Sequence, residues 1–243
     1  MSLRNMAIRW IRDSARKFGI EVRRFHPDLT IDLRRQRVLE SRNIQLILDV
    51  GANIGQYGQR LRHNGYRGEL LSFEPLSSAF RPLEARAKAD GHWQVVRSAL
   101  GDHDGEIAIH IAANSYSSSA LPMLERHLAS APDSVYLGEE QVPLRRLDTV
   151  FAERGLEASA MMLKLDVQGF EKQVISGASH ALRSVQIIES ELSLVPLYEG
   201  QALFAEIIEL LRGYGFRLIF IEPGFADAKS GELLQVDGLF VRG

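Results

Sequence analysis

Residues 45–56, QLILDVGANIGQ, constrain this chain more than any other stretch: an apolar run ends in an acid and then breaks into glycines. Leu46, Ile47, Leu48 and Val50 have the character of a strand buried on both faces, as inside a parallel sheet, with Asp49 where the strand ends. Gly51 and Gly55 free the backbone to turn sharply and approach a ligand, and residues 56–62 have helical spacing. The stretch predicts strand, glycine turn and helix. Such a turn presents free backbone N–H groups and the positive end of a helix, which is the physics of a nucleotide-cofactor site.

The spacing separates two cofactors. A dinucleotide turn reads G-x-G-x-x-G, whereas Gly51-Ala52-Asn53-Ile54-Gly55 has asparagine at the middle position. D-x-G-x-N-x-G is the pattern that accompanies S-adenosylmethionine, whose amino-acid ammonium suits an acid such as Asp49. Beyond it, residues 70–73 form another apolar strand that ends at Glu74-Pro75, and a carboxylate there can take both ribose hydroxyls.

At 243 residues, 45% hydrophobic and 25% charged, the chain has room for one large α/β domain. No apolar stretch approaches the roughly 18 residues of a membrane span, and Met6-Ala7-Ile8 is interrupted at Arg9, so a cytoplasmic protein is expected. Without cysteine, catalysis must use oxygen and nitrogen groups. The net charge of −2 conceals a basic arm: residues 1–42 hold 11 Lys/Arg against 5 Asp/Glu, leaving 18 against 26 for residues 43–243. In that arm Leu3, Ala7, Trp10, Ser14 and Phe18 share one side of a helix whose other faces carry Arg4, Arg9, Arg12, Arg16 and Lys17. The favoured expectation packs Trp10 and Phe18 on the core; contact with a membrane surface is the other reading. Nucleic acid is not expected, because the remainder is acidic and lacks a basic stripe interleaved with aromatics.

Farther along, residues 32–41 predict a lead-in helix, Ser77-Ser78 starts another that ends near Gly91, and residues 93–97 form a third strand. Residues 98–102, SALGD, turn out of that strand towards Asp104-Gly105, and this turn with Leu100 is expected to hold an adenine ring. Residues 114–119, NSYSSS, form a polar loop in which Tyr116 offers a flat contact surface. Residues 140–145 pair with residues 106–111. Strand 161–165 ends at Asp166, where open α/β sheets place their ligands, with Lys164 two residues behind and Glu171 one turn ahead. A competing role for Asp166 is to cap the helix that opens at Gly169. Strand 185–188 delivers Glu189 and Glu191 to the same edge. A helix over 202–212 and two closing strands suit a seven-stranded, mostly parallel sheet with an antiparallel last strand and helices on both faces.

The segments LDVGANIGQY, SFEP, SALGD, LDTVF and KLDVQGFEKQVISGA, in this order, resemble the FkbM family of S-adenosylmethionine-dependent methyltransferases over roughly residues 43–243. The resemblance implies a Rossmann-like class I methyltransferase fold and O-methylation of a hydroxyl on a sugar, glycolipid or polyketide-type natural product. It further implies that Asp49, Gly51, Asn53, Gly55, Glu74, Ala99, Leu100 and Asp102 occupy cofactor positions and that Asp166 stands at the active edge. The basic arm, residues 1–42, falls outside it.

The implied mechanism is in-line methyl transfer with a base removing the hydroxyl proton. Asp166 is expected as base or orienter; a free Asp is a weak base, so burial or a second acid such as Glu189 would have to strengthen it. His103 and His110 are alternatives, and a magnesium ion held by Asp166 with Glu189 or Glu191 is another. Two other classes fit parts of the sequence: a nucleotide-binding or peripheral-membrane adaptor without turnover, and an NAD-dependent oxidoreductase.

Overall fold

The computed structural model describes residues 3–20, 22, 31–156 and 160–243. Two helices, α1 (Leu3–Arg16) and α2 (Ile31–Ser41), precede β1 (Leu46–Val50), which leads through the glycine turn into α3 (Gln56–His63). There follow β2 (Glu69–Phe73), α4 (Ser77–Asp90) and β3 (Trp93–Val96). A small excursion of β4 (Ala99–Leu100), β5 (Gly105–Ala112), α5 (Glu125–Ser130) and β6 (Tyr136–Arg145) comes next. The chain then returns through α6 (Leu147–Arg154), β7 (Met161–Leu165), α7 (Glu171–Ser176), β8 (Val185–Ser193), α8 (Phe204–Gly213), β9 (Phe216–Pro223) and β10 (Gln235–Arg242).

The main sheet has the order β3-β2-β1-β7-β8-β10-β9, with β10 antiparallel to both its neighbours and the pairs from β3 to β8 parallel. This is the seven-stranded, mostly parallel sheet with an antiparallel last strand expected from the sequence. The central strands are continuous apolar runs because both of their faces are covered. One face packs Leu48, Val50, Leu163 and Leu165 on α6, α7 and α8 through Phe151, Val174 and Leu211. The other packs Ile47, Leu70, Met162 and Ile187 on Leu39 of α2, Tyr57 of α3 and Leu83 of α4. A second sheet, β4-β6-β5, packs Ile107 and Ile109 with Ile54 of the glycine turn and with Leu76 and Ala79 at the start of α4.

Two expectations are corrected here. The boundary at residue 42 cuts behind a helix that already belongs to the packed body, since Arg35 and Leu39 of α2 are buried. Trp10 and Phe18 are not packed on the core: both are exposed. Among the described residues no helix is long and apolar enough to cross a membrane.

Candidate active site

The carboxyl ends of β1, β2 and β7, the chain after β3 and the polar loop converge on an open cleft of about 950 Å³, its mouth included. Gly51 and Asn53 line it from the first turn, Glu74 and Leu76 from the second, Ser98, Ala99 and Leu100 from the third. Asp166, Val167 and Gln168 come from the turn after β7, with Glu191 beyond them on β8. Ser115, Tyr116 and Ser118 form part of the outer wall.

The first turn is built by backbone geometry. Gly51 has φ 79°, and a Cβ there would lie 1.8 Å from the Asp166 carbonyl oxygen, so this glycine lets the turns after β1 and β7 touch. Gly55 has φ 90° and would drive a Cβ against Leu83 and Trp93; it packs α3 on the sheet and does not line the cleft. Asn53 sits at φ 48°, a left-handed conformation that asparagine tolerates. Its N–H donates to Glu74 Oε2 at 2.8 Å, and its Nδ2 donates to the Ser115 carbonyl at 3.1 Å. Ser115 and Gln168 also have positive φ and also line the cleft, so three such non-glycine residues surround one site.

Glu74 is buried behind this turn. Besides the Asn53 bond, its Oε1 accepts the Leu76 N–H at 2.9 Å. Each carboxylate oxygen therefore spends one acceptor position on backbone and keeps another for a ligand hydroxyl. Burial raises the carboxyl to about 7 in spite of the two backbone N–H groups, which act to lower it.

Asp166 accepts from Lys164 Nζ at 2.9 Å through Oδ2 and from Gln168 Nε2 at 2.9 Å through Oδ1. It is not the helix cap. α7 has no side-chain cap bond at Phe170, and the free N–H groups of Val167 and Gly169 go to Glu171 Oε1, both at 3.2 Å. Gln168 Nε2 also donates to Glu191 Oε2 at 2.8 Å, and Tyr198 Oη donates to Gln168 Oε1 at 2.7 Å. One amide thus ties Asp166 to Glu191. Burial, with Asp166 and Glu171 nearby, holds the Glu191 carboxyl well above the usual range.

Besides Gly55, three expected site residues lie elsewhere. Asp49 is fully buried beneath the turn, in a row across the sheet with Ser72 and Lys164, and does not line the cleft. Its Oδ2 accepts from Ser72 Oγ at 3.1 Å, while Oδ1 lacks a hydrogen bond and has Lys164 Nζ at 3.8 Å. Glu189 does not reach the edge, because β8 runs on to Ser193 and leaves it in mid-sheet beside Lys164. There both its oxygens are gripped at 2.6 Å by Arg35, and Tyr57 Oη donates to Oε2 at 2.9 Å. Asp102 turns outward to His103 Nδ1 at 2.7 Å. His103 and His110 are absent from the cleft wall; His110 stacks on Tyr136. Gln168 has a single signal in the sequence, its place in the Val167-Gln168-Gly169 turn.

Comparison with known proteins decides the family. The Methyltransferase FkbM domain model matches residues 49–218. The chain belongs to the FkbM methyltransferase family. Like its family, it is an S-adenosylmethionine-dependent methyltransferase. The 2-O-methyltransferase NoeI of Sinorhizobium fredii is 28% identical over 211 residues, covering 84% of this chain and 86% of that protein. The 31-O-demethyl-FK506 methyltransferase FkbM of Streptomyces tacrolimicus is 28% identical over 214 residues, covering 74% and 76%.

The cleft of this FkbM-family chain suits a sulfonium cofactor by its own chemistry. Three carboxyl groups, Glu74, Asp166 and Glu191, line it and, among the described residues, no Lys or Arg does, so its wall offers no cation to the pyrophosphate of a dinucleotide. Magnesium gains no support: among the described residues no group of three or more His, Cys, Asp or Glu side chains is arranged to hold a metal ion.

Proposed function

We propose that the chain methylates a hydroxyl on a sugar, glycolipid or polyketide-type natural product, and that it does so in the cleft between Glu74 and the Asp166–Glu191 pair. NoeI is a 2-O-methyltransferase and FkbM a 31-O-demethyl-FK506 methyltransferase, and both activities support the hydroxyl acceptor. The observation that carries the assignment of roles is that Glu74, with unspent acceptor positions, and the carboxylates tied by Gln168 line the same cleft.

In this reading Glu74 takes the ribose hydroxyls, and Leu100 with Ile107 and Ile109 supplies apolar surface for the adenine. Asp49 acts one layer back, through Lys164, and does not touch the cofactor. S-adenosylmethionine, when bound, supplies a methyl group on a positively charged sulfur. Asp166 orients the acceptor hydroxyl and takes its proton as the oxygen–methyl bond forms and the sulfur–methyl bond breaks. Gln168 fixes the carboxylate for that task by donating to Asp166 and Glu191 together. Ser115 and Tyr116 stand at the mouth, where an acceptor enters.

Calorimetry with S-adenosylhomocysteine tests this reading. The wild-type chain should bind it and should not bind NAD. Glu74→Ala should weaken binding by about 1.5–3 kcal/mol, the range for hydrogen bonds to a charged group. Unchanged affinity in a folded Glu74→Ala protein would remove the ribose assignment.

A further inference from the structure

The amino-terminal segment is unused by the proposed chemistry. α1 exposes Met6, Ile8, Trp10 and Ile11, Trp10 by 72%. Its last turn closes in a Schellman cap: the Ile20 N–H donates to the Ala15 carbonyl, the Gly19 N–H donates to that of Arg16, and Gly19 has φ 71°. This cap fixes Phe18 and Ile20 at the helix end, where they are 81% and 58% exposed. Arg12 Nε donates to the Val22 carbonyl at 3.1 Å, so the chain runs back beside the helix and brings another exposed apolar residue with it. Isolated exposed apolar side chains are ordinary, but here several are gathered on one short segment of defined geometry.

We propose that this segment docks the protein on an anionic lipid bilayer. Helical spacing puts Met6, Ala7, Trp10 and Ile11 on one side of α1 and Arg9, Arg12 and Arg16 on the other, the arrangement of a helix that lies in the plane of a membrane surface. Trp10 supplies the amphipathic ring favoured at the headgroup level. The charge is complementary to lipid phosphate: among the described residues of the segment, Arg9, Arg12, Arg16 and Lys17 stand exposed around the patch against Asp13. A second copy of the chain is the poorer occupant, because two such helices would bring like charges together. The acidic remainder, 18 Lys/Arg against 26 Asp/Glu over residues 43–243, leaves the segment as the end that an anionic surface attracts.

Vesicle flotation with the full chain tests this. At about 0.1 M salt the protein should float with phosphatidylcholine vesicles containing about one third phosphatidylglycerol, and much less with phosphatidylcholine alone. Trp10→Ser/Phe18→Ser and, separately, Arg9→Glu/Arg12→Glu should each weaken that binding about tenfold or more. Both should keep the melting temperature and S-adenosylhomocysteine affinity of the wild type, since neither touches the cleft. The proposal is overturned if the wild-type chain stays unbound with anionic vesicles, or if both variants bind as it does. It is equally overturned by a lipid-free dimer, seen in sedimentation velocity, that Trp10→Ser/Phe18→Ser dissolves.

Discussion

Lys164 Nζ lies 2.9 Å from Asp166 Oδ2, so the carboxylate at the active edge is held by a cation projecting from the strand behind it. The same ammonium is 3.8 Å from Asp49, which ties the buried base of the glycine turn to the active edge. Burial alone would lower the Lys164 pKa, and the two carboxylates outweigh it and raise it.

Lys164→Met should therefore destabilise the fold by about 3–5 kcal/mol at neutral pH, because it leaves Asp49 as an uncompensated buried charge. Burial already raises the Asp49 pKa, and losing its cation raises it further. A carboxyl raised in the folded state takes up protons on folding, so the stability is present at low pH and lost as pH rises through the folded pKa. Melting curves of the variant from pH 8 down towards pH 5 should show partial recovery. A melting temperature equal to wild type at pH 8 would sink this account.

Glu189→Gln distinguishes a structural acid from a catalytic one. Breaking the buried Arg35–Glu189 pair should cost about 3–5 kcal/mol of stability, while S-adenosylhomocysteine affinity at low temperature should hold. A stable Glu189→Gln protein with abolished methyl transfer would return Glu189 to the reaction.

These residues also mark what the sequence could and could not say. Glu74 and Asp166 were legible because each follows an apolar run at the point where a strand must stop, and strand ends are where an open α/β sheet meets its ligand. Glu189 follows a similar run, but β8 continues through Glu189-Ser190-Glu191, a polar stretch that does not read as strand. Its partner Arg35 is 154 residues away, and no local pattern encodes such a pairing. The main sheet's closing strands, the expected pairing of residues 106–111 with 140–145 and the glycine turn were legible from periodicity and turn residues. The outward rotation of Asp102 depends on the tertiary setting of a single turn.

Glu74 predicts a pH dependence of binding. Its carboxyl is raised to about 7 by burial, and ribose hydroxyls donate to the ionised form. Affinity for S-adenosylhomocysteine should rise from pH 6 to pH 8 by at most about tenfold per unit and then level off, with proton release on binding near pH 7. Calorimetry in buffers of different ionisation heat reads both quantities. Glu74→Gln should flatten the dependence, and a slope that survives in this variant would assign it to another group.

Asp166→Asn keeps the shape of the side chain and removes its charge. Melting temperature and cofactor affinity should stay close to wild type, whereas methyl transfer to a sugar or glycolipid hydroxyl acceptor should fall about 10²–10⁴-fold, the typical loss for a general base. Turnover within a few fold of wild type would leave Asp166 without a catalytic role.

A crystal structure of the complex with S-adenosylhomocysteine tests the central claim most directly. The account predicts density in the cleft, with the ribose hydroxyls on the Glu74 carboxylate, the adenine against Leu100 and the sulfur turned towards the side formed by Asp166, Gln168 and Glu191. Density outside this cleft, or a ribose that leaves Glu74 untouched, would contradict it.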